Sequence, residues 1–157
     1  MEKLNLKNNS GISGSYVIRK YKAGTKELIW QSEPIKNLIV SSSGYGRNII
    51  ARVLASDNTY PLAITSAEIG TGNTAPTNAD TNTETAVLTG ISIAEVVVTN
   101  NVVVFSFFIA SGELANGTYK EFTMKCGTQL FARSLISPNY VKGTNEDTTI
   151  DYTITIA

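Results

Sequence analysis

Residues 91–110 read ISIAEVVVTNNVVVFSFFIA, and this stretch decides the fold class. Two runs of β-branched and aromatic residues are separated only by Asn100 and Asn101, a pair that suits a two-residue turn with positive φ. The stretch therefore predicts an antiparallel hairpin with strands over 91–99 and 102–110.

The second strand of this hairpin is apolar on both of its faces. A strand that is buried on one side alternates apolar with polar residues, so this strand is predicted to be buried on both sides. We expect its outer face to be covered either by the chain's helix or by another subunit, and the sequence leaves both open. The two faces carry Val103, Phe105, Phe107 and Ile109 on one side, and Val102, Val104, Phe108 and Ala110 on the other.

Further short strands are predicted on both sides of the hairpin. The turn residues Asn116 and Gly117 lead into another strand, which with the hairpin predicts a three-stranded meander. The last strand, over 148–156, alternates between Thr/Ile/Tyr and polar residues, and this pattern is typical of one core face and one solvent face. The other predicted strands cover 14–22 and 28–32 as a hairpin, then 35–40, 61–70, 118–126 and 129–136.

The hydrophobic period changes to a helical one over about residues 43–56. Ser42 or Ser43 is available as an N-terminal cap, and Ser56 begins a polar stretch that ends the helix. The apolar residues at helical spacing are Tyr45, Ile49, Ile50, Val53 and Leu54.

Seven or eight strands with short turns and one helix predict a mainly β chain, specifically an antiparallel β-sandwich with one α-helix. We expect a single domain over 14–157, preceded by an N-terminal arm over 1–13. A chain of 157 residues is long enough for one such domain with a substantial core.

The composition bears on where the chain folds. It contains no run of 18 or more apolar residues, and its N-terminus lacks the apolar segment of a secretion signal. We therefore expect no membrane association, no secretion, and folding in a cytoplasm.

Residues 1–60 carry a net charge of +5 and residues 61–157 a net charge of −5. We interpret this as the uneven charge of a solvated surface, with a polarised particle that meets a neighbour as the alternative.

The residue types disfavour catalysis. The chain has no histidine, so most acid–base and nucleophilic mechanisms lack their usual residue. Cys126 alternates with apolar residues and is predicted to be a buried structural thiol. Glu146 and Asp147 lie in a polar loop but lack the ligand spacing of a calcium site. Glu95, Glu113 and Glu121 are interpreted as solvated. We expect no enzyme, no cofactor and no metal site.

The stretch IGTGNTAP, residues 69–76, contains the G-x-G-x-x-A spacing of many dinucleotide-binding loops. Such a loop needs a helix after the glycines, because the helix N-terminus binds the pyrophosphate. Residues 77–84 are instead a polar run of Thr, Asn and Asp without helical spacing. We interpret the stretch as a Gly-rich strand exit whose exposed Thr/Asn surface makes contacts, and we expect it to order against a neighbouring molecule.

Three stretches, in this order along the chain, resemble a family of tailed-bacteriophage structural proteins. Residues 14–54 are similar to its opening hairpin, Asn-Leu-Ile segment, Gly-containing turn and helix. Residues 67–84 are similar to its loop of Gly-Thr-Gly, Thr-Ala-Pro and a spaced Asp. Residues 130–156 resemble its C-terminal end, with Leu-Phe-Ala-Arg, Ser-Pro, Lys and an alternating strand. The family often has Glu followed by Ala-Gly-Leu, whereas here Glu121 is followed by Phe-Thr-Met.

The resemblance implies a virion component near the tail, baseplate or collar, in several copies, acting as an adaptor or as a fibre-attachment module. Its partners would be other virion proteins and further copies of itself, and it would assemble in the host cytoplasm. Members often anchor long tail fibres, and we expect no fibre shaft after Ala157. We expect no nucleic-acid binding, because the basic segment 19–26 holds a single aromatic residue.

We predict contacts with partners through the Gly-rich loop and the basic hairpin. The predicted interface residues are Gly70, Thr71, Gly72, Asn73, Thr74, Pro76 and Asp80 in the loop, and Arg19, Lys20 and Lys22 in the hairpin.

The sequence leaves other functions open. A capsid decoration protein would have the same composition, since folds of this type are found in many roles. A carbohydrate-binding module would use Tyr45, Tyr60 and Tyr140 as a stacking platform. A hydrolase would have to act without histidine, and we consider it the weakest of these alternatives.

Overall fold

The computed structural model describes residues 11–157. The expected N-terminal arm lies outside this range for residues 1–10, and its residues 12 and 13 belong to the first strand. The described chain has nine strands and one helix. In chain order they are β1 (Ile12–Lys22), β2 (Leu28–Gln31), β3 (Ile35–Ile39), α1 (Arg47–Leu54), β4 (Ser66–Gly70), β5 (Ala86–Thr99), β6 (Val102–Ile109), β7 (Gly117–Cys126), β8 (Gln129–Lys142) and β9 (Glu146–Ile156).

Eight of the strands close into an antiparallel barrel. The order around it is β1-β3-β8-β7-β4-β5-β6-β9, and β9 returns to pair with β1 over eleven residues, from Ile12↔Ile156 to Lys22↔Glu146. The short strand β2 pairs with the remaining part of the β1 edge. The prediction of a mainly β chain with one helix is confirmed.

The strands do not divide into the two separate sheets of the expected sandwich. One half of the barrel contains β6, β9 and β1, and the other half contains β8, β7 and β4. β3 and β5 join the halves, because β3 pairs with β1 and β8, and β5 pairs with β4 and β6. In β5 the pairing changes from one neighbour to the other around Ser92 and Ile93, beside an irregular register before Glu95. Bulges of this kind bend a strand around a corner, which lets the sheet close on itself.

The hairpin over 91–110 is confirmed, with Asn100 at a φ of 52° in its turn. The predicted meander is wrong, because β6 pairs with β5 and β9, whereas β7 pairs with β4 and β8. Residues 110–116 carry the chain from β6 to the other half of the barrel. The buried Lys142 amine holds this connection by donating to the carbonyl of Ser111 and the side chain of Asn116.

Aromatic residues fill the middle of the barrel. Phe122 lies 4.9 Å from Tyr16 and 6.1 Å from Phe107 between ring centroids, and Tyr152 packs against Tyr16. Phe105, Phe107 and Tyr152 are buried, so the core contains residues from the 102–110 strand and from the alternating last strand. Trp30, on β2, is half-buried and packs on Tyr140 at 5.8 Å.

The helix is shorter than predicted, at Arg47–Leu54, and its predicted serine cap is wrong. The residue before it is Gly46, whose added Cβ would collide with the Val40 and Phe131 carbonyls, and no side chain caps the helix. Ile49 is fully buried, but Leu54 is 83% exposed. The serine cap fails because the chain enters the helix through glycine at a φ of 50°.

The helix does not cover the outer face of β6. Ile50 instead lies with Val103 and Phe105 around an apolar cavity on the core side of that strand. On the outer face Val104 is half-buried and Phe108 remains 48% exposed. The expectation of a helical cover is wrong, and cover by a second subunit stays a prediction.

Candidate functional site

Residues 71–85, which we term the anchored loop, fold back over the outside of the barrel. They lie on the face of β4, β7 and β8 that carries the paired residues Glu68, Thr123 and Arg133. The Thr83 hydroxyl bonds both Glu68 and Thr123 there. The loop therefore turns an outer, polar face of the sheet into a buried one.

Glu121 on β7 is the main anchor for the backbone of this loop. Its side chain is 0% exposed and accepts three loop amides. The amides of Gly72 and Thr85 donate to Oε1 at 3.0 and 2.7 Å, and the Glu84 amide donates to Oε2 at 3.1 Å. One carboxylate thus binds both ends of the loop together.

Arg133 on β8 is the counter-charge. Its Nε donates to Glu121 Oε2 at 3.0 Å, and its Nη1 to Asp80 Oδ2 at 3.0 Å. Its Nη2 donates to the Thr74 carbonyl and to Glu84 Oε2. All three guanidinium nitrogens are used, so a planar group with several fixed donors links β7 with the start, middle and end of the loop.

The two outer carboxylates of the network are held in the ionised form. Partial burial opposes ionisation of Asp80, but hydrogen bonds from Thr77 and Arg133 outweigh it and hold its pKa below the ordinary value. Glu84 accepts from the hydroxyl and amide of Thr74, and these bonds, with Arg133, lower its pKa. For Arg133, burial alone would lower the pKa, but the carboxylates outweigh it and raise it.

The Gly-Thr-Gly motif follows from this network. A Cβ added at Gly72 would lie 2.5 Å from Glu121 Oε1 and 2.6 Å from the Glu84 Cβ, and one added at Gly70 would lie 2.7 Å from Glu121 Oε1. The glycines are needed because the backbone passes directly over a buried carboxylate. We expected the loop to order against a neighbouring molecule, but contacts within its own chain order it.

The structure places the predicted interface residues in two different settings. Gly70 and Gly72 are buried, Asp80 is tied to Arg133, and Thr74, although exposed, is hydrogen-bonded to Glu84 and Arg133, so these four build the loop. The other predicted interface residues of the loop lie at its surface, where Pro76 is half-buried. Thr71 and Asn73 are exposed there.

The basic hairpin is partly neutralised. Arg19 pairs with Asp151, and the Lys20 amine lies 3.3 Å from a Glu146 carboxylate oxygen. Lys22 stays exposed. The structure does not bring these residues into contact with the anchored loop.

Glu146 and Asp147 are also engaged within the chain. Glu146 accepts from the amide of Gly143, and the buried Asp147 accepts from the amides of Gly24 and Ser111. Within residues 11–157 no group of three or more acidic, Cys or His side chains is placed to hold a metal ion.

In the described part of the chain, Tyr45, Tyr60 and Tyr140 do not form the exposed stacking platform of a carbohydrate-binding module. Tyr140 is fully buried, with its hydroxyl bonded to Thr148, and burial raises its pKa to about 12. Tyr60 lies beneath the Arg52 guanidinium, 5.5 Å from the ring centroid. Tyr45 is half-buried.

The charged side chains of this arrangement bind one another and the loop, and they thereby position the loop. Above the network lies a shallow polar depression of about 410 Å³, lined by Thr81, Asn82 and the network's own residues. The predicted structural thiol is confirmed, since Cys126 is fully buried and burial raises its pKa to about 12.

Sequence reasoning missed the centre of the network. The interpretation of Glu121 as a solvated residue is wrong. Arg133 was noted only as the last residue of the Leu-Phe-Ala-Arg motif, and no role was predicted for it. One available signal was an acidic residue in the strand that contains Phe122 and Met124, with an arginine in the next strand of a tight hairpin. Opposite charges on adjacent strands predict a cross-strand pair.

No protein family model, no curated protein and no solved structure matches this chain. In the part of the chain that the structure describes, no helix has the length and apolar character needed to span a membrane.

Proposed function

We propose that this protein is a non-enzymatic structural component of a tailed-bacteriophage virion, acting as an adaptor or attachment module at the tail, baseplate or collar. It would assemble with other virion proteins and with further copies of itself in the host cytoplasm. In this proposal the two halves of the closed sheet, which share β3 and β5, act as one rigid, sandwich-like body.

One observation carries the proposal: residues from two stretches of the resemblance meet in one place. Gly70, Gly72 and Asp80 come from the loop motif, and Arg133 comes from the Leu-Phe-Ala-Arg motif. They meet around the Glu121–Arg133 pair, although 49 residues separate Gly72 from Glu121 in the chain. Motifs that converge on one structural device support the resemblance more strongly than each short motif does alone.

The Glu121–Arg133 network suits an attachment function because it orders the surface of the loop before any partner binds. A free loop of this length would lose backbone entropy of about 1–2 kcal/mol per residue on binding a partner. Here the buried network has already fixed the loop, so the exposed Thr71 and Asn73 can bind without that cost. The absence of histidine and the mutual engagement of the network's charges also favour a binding function over a catalytic one.

Immunogold electron microscopy tests the location. Antibody raised against the recombinant chain is applied to purified phage particles from the culture that produces it, with mass spectrometry of the same particles as an accessibility control. Label at the tail or collar is the expected result. Label on the capsid would shift the location to that of a decoration protein. Particles that lack the chain by mass spectrometry would overturn the proposal.

An assembly assay tests the loop surface. Asn73→Arg places a large charge on an exposed residue and leaves Glu121 and Arg133 unchanged. We expect unchanged thermal unfolding but reduced incorporation into particles. Asn58→Arg, at an exposed position outside the loop, is the matched control and should be incorporated normally. Equal incorporation of both variants would contradict a role for this surface.

A further inference from the structure

The second half of β5 has one free edge. Residues 86–92 of β5 pair with β4, and residues 93–99 pair with β6 on the opposite edge. The pairing of β4 with β5 begins at Ser66, and the residue before it, Thr65, donates its amide to the Lys125 carbonyl of β7. Among residues 11–157, none pairs with the outer edge of 95–99, so its backbone donors and acceptors are available to another strand.

This free edge is apolar on both faces. Val96, Val97 and Val98 are 48%, 47% and 70% exposed. Val96 and Val98 lie opposite Phe105 and Val103 of β6, and thus on the core side. Val97 points the other way. Natural edge strands are normally protected by charges, prolines or short length, and this five-residue run carries only Glu95.

An apolar cavity of about 320 Å³ lies on the core side of β6, the strand that pairs with this part of β5. It lies at the end of the barrel under the helix, and Val103 and Phe105 line it. Ile156, 59% exposed, and Leu62, 37% exposed, stand at its rim. Exposed apolar side chains therefore lie both on the free edge and at the rim of the cavity that Val103 and Phe105 of the neighbouring strand line.

We propose that a second copy of this chain covers this edge, with the two β5 strands pairing antiparallel about a twofold axis at Val97. The occupant must be a strand, because the free edge offers a row of backbone hydrogen-bonding groups. A second β5 supplies such a row and makes a closed twofold dimer, the commonest homo-oligomer. This inference does not rest on the virion proposal, since it uses a different surface.

The side chains set the register. The pairing of β5 with β6 is regular only from Glu95 to Thr99, and Val97 is the middle of that run. Centring the axis there places Val96 opposite Val98 of the second copy, so the core-side valines of the two copies pack on one another beside the cavity-lining Val103 and Phe105. Glu95 then lies opposite Thr99 and not opposite the second Glu95, where like charges would repel.

Charge reversal at the axis tests the dimer. Sedimentation velocity should give a dimer for the wild-type chain. Val97→Lys and Val97→Glu should each give monomers, because each places like charges directly opposite one another. An equimolar mixture of the two variants should give a heterodimer. Val141→Lys, at a residue 57% exposed on β8, is the matched control and should stay dimeric.

Disulfide formation tests the register. Directly paired antiparallel residues have Cα atoms about 4.5–5.5 Å apart, within the range a disulfide spans. Val97→Cys should form a dimer on oxidation, whereas Val96→Cys and Val98→Cys should cross-link only when mixed. The native Cys126 is fully buried and does not compete.

A wild-type monomer at every soluble concentration would overturn the proposal. So would a dimer that survives Val97→Lys, since it would use another surface. Virion labelling has no bearing on either result, so the two proposals fail separately.

Discussion

Nε of Arg133 donates to Oε2 of Glu121 over 3.0 Å, and the two side chains are 3% and 0% exposed. Charges at this depth are stable only when they are paired and fully hydrogen-bonded. Both conditions are met here, because the remaining donors and acceptors of the pair bind the anchored loop. The pair therefore links the stability of the barrel to the order of the loop.

Arg133→Met should lower the free energy of unfolding by about 3–5 kcal/mol, because it leaves the Glu121 carboxylate buried without its counter-charge. Urea denaturation followed by circular dichroism measures this change. Hydrogen exchange should also become faster at the amides of Gly72, Glu84 and Thr85, which Glu121 holds.

Two variants control this measurement. Arg19→Met breaks the half-exposed pair with Asp151 and should cost below about 1 kcal/mol, since exposed pairs contribute little. The double variant Glu121→Met/Arg133→Met should lose less stability than the two single variants add up to, since it leaves no unpaired charge. A loss for Arg133→Met no greater than that for Arg19→Met would contradict the role of the network.

Gly72→Ala should lower stability by about 1–3 kcal/mol, the usual range for forcing extra volume into a packed site. The new methyl group would meet Glu121 Oε1 at 2.5 Å, so either the loop or the carboxylate must move. Thermal unfolding and hydrogen exchange at the Thr85 amide measure the effect. Gly112→Ala is the control, because no heavy atom lies within 4 Å of its added Cβ. Equal effects would show that the close approach at Gly72 is unimportant.

The sequence predicted the local elements of the fold well and the long-range pairing poorly. The hairpin around Asn100 is confirmed because two adjacent runs and a turn determine it. The meander is wrong because the choice of neighbour for β6 depends on β9, whose paired residues lie 39 to 53 positions further along the chain. The corner of the barrel at β5 coincides with the register irregularity before Glu95, and period-two alternation does not reveal such bulges.

The candidate site was predicted only in part, for a related reason. The loop was identified by its composition, which is a local property. Strand alternation did not distinguish its anchor, Glu121, from a solvated carboxylate, because alternation indicates only that a residue leaves the core, and the opposite charge of Arg133 on the next strand was the one signal of a buried pair. Whether that outer face meets water or a loop depends on where residues 71–85 fold, and Arg133 supplies the attraction that decides it.

Cys126 should not react with a thiol reagent in the native protein. Burial raises its pKa to about 12, so almost no thiolate exists at neutral pH, and the side chain is fully enclosed. Absorbance with Ellman's reagent should show a negligible rate in buffer and one thiol per chain in concentrated urea. Rapid reaction under native conditions would mean that this part of the barrel opens easily.

The network should make stability fall in acid. The folded pKa values of Asp80 and Glu84 lie below their ordinary values of 3.8 and 4.5, so both groups favour the folded state when ionised. That stabilisation is present above the ordinary values and is lost as the pH falls through the lower folded ones.

The double variant Asp80→Asn/Glu84→Gln removes both charges and keeps side chains of similar size. The wild-type chain should therefore be more stable than this variant at pH 7, and the difference in stability should shrink as the pH falls below about 4. Urea denaturation from pH 7 to pH 2.5 measures the two curves, with Glu33→Gln, an exposed carboxylate outside the network, as the control that should follow the wild type. A difference between wild type and double variant that stays constant across this range would show that these carboxylates do not stabilise the fold through their charge.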